Sequence, residues 1–141
     1  MRTVAFSLEV PYQLVVRGNP PEPRLTVRLY RNGRASPPIF AIVDSGADES
    51  VFPLDVATYL GIDLSTCQTE TGYTATGEAF TTYRSQVTIE VLGLHFNATM
   101  SFAKDLDPTE ALLGRAEVFN EFLFGFDQRR RVLLVAFYGG T

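Results

Sequence analysis

The chain has 141 residues, a net charge of -4 at pH 7, one cysteine and one histidine. This length is enough for one domain with a sizeable core, and the acidic balance argues against a nucleic-acid partner. One cysteine excludes an internal disulfide, and a lone histidine argues against a zinc centre. The first residues lack the apolar core of a signal peptide, and no run of about 18 apolar residues predicts a membrane span. We therefore expect a cytoplasmic protein that contacts no membrane.

The first part of the chain, residues 1–23, predicts an N-terminal arm. Short strands are expected over residues 4–10 and 13–16, with Pro11 as the break between them. The proline-rich cluster of residues 18–23 then forbids regular structure. We expect the main domain to span residues 24–141, and the residues of the arm do not indicate its role.

A predicted hairpin carries an acidic residue to the end of a buried strand. Its first strand begins at Leu25 and alternates apolar with polar residues up to the turn sequence Asn32-Gly33. The second strand is the apolar run of residues 40–43, which ends in Asp44. Burying an ionised acid without partners is costly, so Asp44 must be paired, hydrogen-bonded or kept for chemistry.

The remaining pattern predicts short strands and little helix. In chain order we expect a short helix over residues 54–60, a long exposed hairpin over 69–84 that turns at Gly77, a hairpin of 86–92 with 95–102, a helix over 116–123, and a closing hairpin of 124–127 with 131–137. Many short strands with turns between them and only two short helices predict an all-β barrel.

Three motifs occur in a fixed order along the chain. They are Asp-Ser-Gly-Ala at residues 44–47, the glycine-containing hairpin, and Ala-Leu-Leu-Gly-Arg at residues 111–115 before a helical stretch. With these motifs the chain resembles the retroviral-type aspartic peptidases, the retropepsins, from about Arg24 onward. The resemblance implies a retropepsin-like closed β-barrel with a flap hairpin and one or two short helices. The long C-terminal hairpin resembles cellular and bacterial single-domain relatives more than viral enzymes.

The resemblance also implies roles for individual residues. Asp44 is the expected catalytic acid, and its loop is completed by Ser45, Gly46 and Ala47. Substrate contacts are expected from Asp48 and from the flap tip at Ala75, Thr76 and Gly77. Asp48 is also expected to form a structural ion pair with Arg115. No metal ion and no cofactor are implied.

Aspartic-peptidase chemistry needs two facing carboxylates, one to take a proton from water and one to polarise the substrate carbonyl. The sequence has one Asp-Ser-Gly motif, whereas a two-lobed enzyme would carry two in a chain of about twice this length. The second acid must therefore come from another copy, which predicts a C2 homodimer that acts on a protein or peptide substrate.

Three alternatives to a peptidase stay open. The motif at residues 44–46 is also common in plain turns. The barrel is also compatible with a binding or scaffolding module that cleaves nothing. A glycosidase would pair Asp44 with Asp48 or Glu49. The glycosidase is disfavoured because neighbours in one tight loop leave no room for a sugar and the chain has no tryptophan.

Overall fold

A computed structural model of the protein describes residues 1–138, which contain eleven β-strands and two short α-helices. The strands are β1 (Leu8–Pro11), β2 (Arg24–Arg31), β3 (Arg34–Ala35), β4 (Ile39–Val43), β5 (Val51–Pro53), β6 (Gln68–Tyr73), β7 (Ala79–Val91), β8 (Leu94–Ala103), β9 (Leu112–Leu113), β10 (Phe122–Asp127) and β11 (Val132–Phe137). The helices are α1 (Leu54–Tyr59) and α2 (Val118–Glu121). Neither helix has the length that a membrane crossing requires.

Six of the strands form a closed ring. The order β2-β4-β9-β5-β8-β7 returns to its start because β2 also pairs with β7, while β3 and β6 extend the sheet beyond the ring. The side chains that point into the ring are apolar and buried, for example Leu29, Phe52 and Met100. The predicted all-β fold class is confirmed, and six of its strands form this ring.

The hairpin that leads to the acid is confirmed. Along β2, Val27 and Leu29 are buried while Arg28 between them is exposed, which is the period of two expected of a strand with one buried face. Asn32 and Gly33 both have positive φ, 54° and 70°, as a tight hairpin turn requires. β2 then pairs antiparallel with β4, and the short β3 lies between them in the chain.

A second, three-stranded sheet has the order β1-β11-β10. It contains the confirmed closing hairpin of β10 and β11, and it attaches the N-terminal arm to the domain. The two strands predicted in the arm are wrong in extent. β1 covers only Leu8–Pro11 and includes Pro11, which an edge strand tolerates, while Gln13 makes a single bridge to Glu22.

The first predicted helix is confirmed as α1, with Pro53 before it and Gly61 after it at a φ of 71°. The second is wrong in extent, because α2 has only four residues. Glu117 has a φ of 66°, which no right-handed helix contains, and Phe122 already pairs with Phe137 in the β10–β11 ladder. Sheet pairing therefore ends the helix.

The long exposed hairpin is confirmed as β6 and the first half of β7, with Gly77 at a φ of 88° in its turn. β7 runs on without a break and pairs with β8 over the whole length of the next predicted hairpin. One 13-residue strand thus connects the exposed hairpin to the ring.

Candidate active site

Asp44 lies at the end of β4, where backbone hydrogen bonds fix its position. β4 pairs parallel with β9, and the Asp44 amide donates to the Leu113 carbonyl at 3.0 Å. On the other side the Val43 amide donates to the Pro23 carbonyl at 2.8 Å. The chain is therefore held from both sides at the point where it leaves the sheet, and the half-buried Asp44 side chain points out of a rigid strand end.

The Asp44 loop, residues 44–49, is a tight and exposed turn. The Gly46 amide donates to Asp44 Oδ1 at 2.9 Å, and the Ala47 amide to the Asp44 carbonyl at 3.3 Å. A Cβ at position 46 would lie 3.2 Å from Asp44 Oδ1, tighter than an ordinary contact, so glycine suits this position. Ser45 and Gly46 are exposed and Ala47 is half-buried. The carboxylate is thus oriented by a neighbouring backbone amide.

The Gly114 segment, residues 114–116, packs against this loop backbone to backbone. The Arg115 amide donates to the Ala47 carbonyl and the Ala116 amide to the Asp48 carbonyl, each at 2.9 Å. A Cβ at Gly114 would come 2.2 Å from the Glu49 carbonyl oxygen. No side chain fits there, so glycine is required for the two segments to meet.

The buried Ser50 hydroxyl supports the same contact. It accepts a hydrogen bond from the Gly114 amide at 3.0 Å, and the Ser50 carbonyl accepts one from the Ser101 amide at 3.1 Å. Ser50 directly follows the acidic pair Asp48-Glu49, and no local pattern in the sequence predicts its contact with Gly114.

The structure brings together Asp48 and Arg115, the two residues of the predicted ion pair. The Arg115 guanidinium contacts the Asp48 carboxylate and also donates to the Ser45 carbonyl at 3.1 Å. The Asp48 side chain is 85% exposed and that of Arg115 is 54% exposed, so water screens their attraction. In the single chain the pair is a surface contact that supplements the backbone bonds beneath it.

The predicted flap tip, Ala75 to Gly77, is an exposed turn. The Thr74 amide donates to the Glu78 carbonyl at 2.8 Å, and the Gly77 amide donates to the Thr74 carbonyl at 2.9 Å. These three residues do not line the cavity beside the Asp44 loop. Their substrate contacts therefore stay a prediction.

A cavity of about 460 Å³ lies between the Asp44 loop and the β6–β7 hairpin. Its lining combines apolar, aromatic and acidic side chains, namely Ala47, Asp48, Glu49, Val51, Glu70, Thr71, Gly72, Tyr73, Phe80, Thr82, Ser101 and Leu112. Three polar residues at this cavity were not predicted from the sequence. Arg84 joins Glu70 of the hairpin to the loop through Glu49, and Ser101 of β8 also contacts Glu49. Within residues 1–138, no three acidic, histidine or cysteine side chains are grouped to hold a metal ion.

Comparisons with known proteins find both a family model and solved structures that are similar to the chain. A family model described as "Aspartyl protease" matches residues 26–116. The crystal structure of a retropepsin-like aspartic protease from Rickettsia conorii is 23% identical to the chain, with a TM-score of 0.61 over 92% of this chain and 97% of that one. No curated protein sequence matches the chain.

Two further solved structures are similar at lower scores. The EIAV protease complexed with the inhibitor HBY-793 is 25% identical, with a TM-score of 0.49 over 72% of this chain and 88% of that one. The retroviral protease-like domain of Ddi1 from Leishmania major is 16% identical, with a TM-score of 0.48 over 81% and 93%. The family model covers well over half of the chain and includes both the Asp44 loop and the Gly114 segment. The chain therefore belongs to the aspartyl protease family and has its retropepsin-like fold.

Proposed function

We propose that the chain is an aspartic endopeptidase in which two copies of Asp44, one from each subunit of a homodimer, activate a water molecule. The observation that carries the proposal is the Asp44 loop itself. In a member of the aspartyl protease family, this loop holds a half-buried carboxylate at a rigid strand end, beside exposed Ser45 and Gly46.

The exposed loop supports the proposed dimer. A two-fold axis repeats each residue of an interface against its own copy, so a loop on that axis places two Asp44 side chains face to face. Ser45 is exposed, and its hydroxyl is free to bond across the axis to the other loop. The carbonyl of Ser45 is held by Arg115 at 3.1 Å, which keeps the loop in shape for such a contact.

The proposed reaction uses the pair as a base and an acid. Two facing carboxylates do not both ionise cheaply, so they share one proton. The ionised member takes a proton from water, whose oxygen attacks the peptide carbonyl, while the protonated member gives its proton to the carbonyl oxygen. The carboxyl that took the proton from water gives it to the leaving nitrogen, the other carboxylate takes a proton back from a hydroxyl of the tetrahedral intermediate, and the C–N bond breaks. Two peptides form without a covalent enzyme intermediate or a metal.

We also propose that the arm, residues 1–23, braces this domain. Arg24, whose side chain is 1% exposed, forms an ion pair with Glu22 at 3.0 Å and donates to the carbonyls of Phe40 and Thr109. These two carbonyls lie on β4 and on the turn before β9, the elements that position Asp44. Removing residues 1–23 would leave the Arg24 charge buried without its partner, which is costly.

Asp44→Asn tests the proposal because it removes the charge with little change of shape. The wild type should cleave an unfolded protein at mildly acidic pH in a pepstatin-sensitive, chelator-resistant reaction and should sediment as a dimer. Asp44→Asn should sediment in the same way and cleave nothing. Asp55→Asn, at an exposed position on α1, is the matched control and should cleave like the wild type.

Three results would overturn the proposal. Cleavage that survives in purified Asp44→Asn protein would show that another group does the chemistry. A wild type that remains a single chain at all concentrations would lack the second Asp44 carboxylate that the proposed reaction requires. A wild type that cleaves nothing but binds peptides would favour the silent binding module.

A further inference from the structure

The cavity beside the Asp44 loop has an apolar floor and an acidic wall. Val51, Leu112 and Phe80 line it with hydrocarbon, while Glu49 and Glu70 line it with carboxylates. These two glutamates come from opposite sides, since Glu49 belongs to the Asp44 loop and Glu70 to β6. Such a combination suits a side chain with a long aliphatic stem and a charged end.

A single guanidinium is shared by both glutamates. Arg84 on β7 contacts Glu49 Oε1 at 3.1 Å and Glu70 Oε1 at 2.8 Å. The Ser101 hydroxyl donates to the other Glu49 oxygen, Oε2, at 2.9 Å. The carboxylates are therefore held in place by hydrogen bonds, and Arg84 balances only one of their two charges.

The neighbouring charged side chains do not neutralise the negative charge that Arg84 leaves unbalanced. Asp48, the third acidic side chain that lines the cavity, is paired with Arg115, which has no other acidic partner among residues 1–138. Three carboxylates thus face two guanidiniums, and one negative charge is in excess. The side chains of Glu49 and Glu70 are 31% and 42% exposed, so they are screened less than fully exposed groups.

We propose, on the basis of the peptidase function above, that this cavity is the subsite for a lysine or arginine side chain of the substrate, selected by Glu49 and Glu70. The aliphatic stem packs on Val51, Leu112 and Phe80, and the cation meets the excess negative charge. A neutral side chain of the same length makes the first contact without the second. An acidic side chain is repelled, so the site discriminates by attraction and by repulsion.

Matched peptides separate this proposal from the peptidase function. In one host sequence, lysine, norleucine or glutamate is placed at each position in turn, and binding to the Asp44→Asn protein is measured by calorimetry. At one position lysine should bind about threefold to fivefold more tightly than norleucine, as a partly screened pair allows, and glutamate more weakly than both. Added salt should reduce the preference for lysine. Cleavage of the same peptides by the wild type is measured in parallel.

Charge-removing variants locate the preference. Glu49→Gln and Glu70→Gln, each combined with Asp44→Asn, should bind lysine and norleucine peptides about equally, because each removes the excess charge. Asp55→Asn removes one charge from exposed α1 and should keep the preference. Thermal melting shows whether each variant folds, and two independent glutamates protect the test against one that does not.

The outcomes are distinct for the two proposals. Equal binding of the three peptides at every position, no binding at all, or a preference that survives both glutamate variants overturns the subsite. If no peptide is cleaved but lysine is still preferred in binding, the peptidase function falls and the basic subsite stands. If peptides are cleaved without regard to charge, the subsite falls and the peptidase function stands.

Discussion

The cavity has two walls, the Asp44 loop and the β6–β7 hairpin, and different interactions hold each wall in place. The Asp44 loop is joined to the Gly114 segment by backbone hydrogen bonds, and Gly114 leaves no space between the two. The facing β6–β7 hairpin is exposed over most of residues 68–81, and its contact with the loop passes through the side chain of Arg84. Backbone bonds form whatever the neighbouring side chains are, whereas side-chain ion pairs depend on salt and pH.

This difference assigns the two walls different mechanical roles. The wall with the catalytic candidate must hold its carboxylate in one place, because a small displacement from reacting geometry is costly in rate. In the proposed peptidase the opposite wall admits a peptide, and segments that move are drawn from the less stable parts of a fold. We therefore expect changes in the loop to affect the stability of the whole domain and changes in the hairpin to stay local.

The largest effect is expected from Gly114→Ala. A Cβ there would lie 2.2 Å from the Glu49 carbonyl oxygen and 2.4 Å from its carbon, and backbone cannot step aside as a side chain can. We expect a loss of about 3 kcal/mol or more in the free energy of unfolding, at the upper end for overpacked sites. Urea unfolding followed by circular dichroism measures it. A loss below about 1 kcal/mol would show that the two segments are not rigidly packed.

Gly77→Ala is the matched change in the hairpin. Gly77 has a positive φ of 88°, but nothing lies within 4 Å of its would-be Cβ. The substitution therefore costs only the backbone strain of an L-residue in that region, about 1 kcal/mol. The same urea titration should show this smaller loss. A loss equal to that of Gly114→Ala would remove the distinction between the two walls.

Arg84→Met should release the hairpin while leaving the loop in place. It removes both ion pairs that Arg84 makes but keeps a stem of similar length, and partly exposed pairs of this kind contribute about 1 kcal/mol or less. Amide hydrogen exchange should speed up in β6 and remain unchanged in β9. Arg84→Lys should restore part of the protection. Equal acceleration in both strands would mean that Arg84 supports the ring rather than the hairpin.

Arg115→Ala should have a smaller effect in the single chain, about 0.5 kcal/mol, because the pair with Asp48 is exposed and the backbone bonds beneath it remain. In the proposed dimer the effect should be larger, because Arg115 also holds the Ser45 carbonyl near the axis. Sedimentation and thermal melting of the variant at several concentrations separate the two contributions. A variant as dimeric and heat-resistant as the wild type would contradict a role for this pair in assembly.

The sequence revealed those features that short stretches encode. The alternation of apolar and polar residues predicted β2, and Asn32-Gly33 predicted a tight turn with positive φ. The apolar run that ends in Asp44 predicted the end of β4. Contacts between residues that lie far apart in the sequence could not be predicted from such local patterns. The register of β7 and β8 places Arg84 opposite Ser101, which bonds Glu49, and Arg84 therefore reaches Glu49 as well. No local pattern fixes that register or shows that Arg84 faces the loop.

The same limit explains the shortened helix. The apolar spacing of residues 118–123 fits a helix, but Phe122 contributes more as a sheet residue. Its ring makes an edge-to-face contact with Phe137, with centroids 5.3 Å apart. Tertiary pairing overrides local preference where a core position is at stake. For Gly114, the sequence motif predicted the glycine itself but did not show that it packs against the backbone of Glu49.

The smallest effect on stability is expected from a change at Arg130, whose side chain binds the N-terminal arm through Glu9. Arg130 donates to both carboxylate oxygens of Glu9, at 2.9 and 3.2 Å, and to Asp127 at 2.8 Å. These hydrogen bonds with Arg130 lower the pKa of Glu9 below 4.5 and that of Asp127 below 3.8, and they raise the pKa of Arg130. Carboxyls with lowered folded-state pKa values stabilise the fold above their unfolded values, and that stabilisation is lost as pH falls through the folded ones.

Arg130→Gln should therefore lower the melting temperature slightly at about pH 6, and its difference from the wild type should shrink below about pH 4. Arg129→Gln removes the same charge from the same turn and is the matched control. Its effect should be smaller and should not follow this pH dependence. Glu9 and Arg130 are exposed and Asp127 is half-buried, so salt should weaken the effect as well. A difference between wild type and Arg130→Gln that persists unchanged at low pH would mean that Arg130 does not act through these two carboxylates. No difference at any pH would mean that the β1–β11 ladder alone holds the arm, as backbone bonds hold the Asp44 loop.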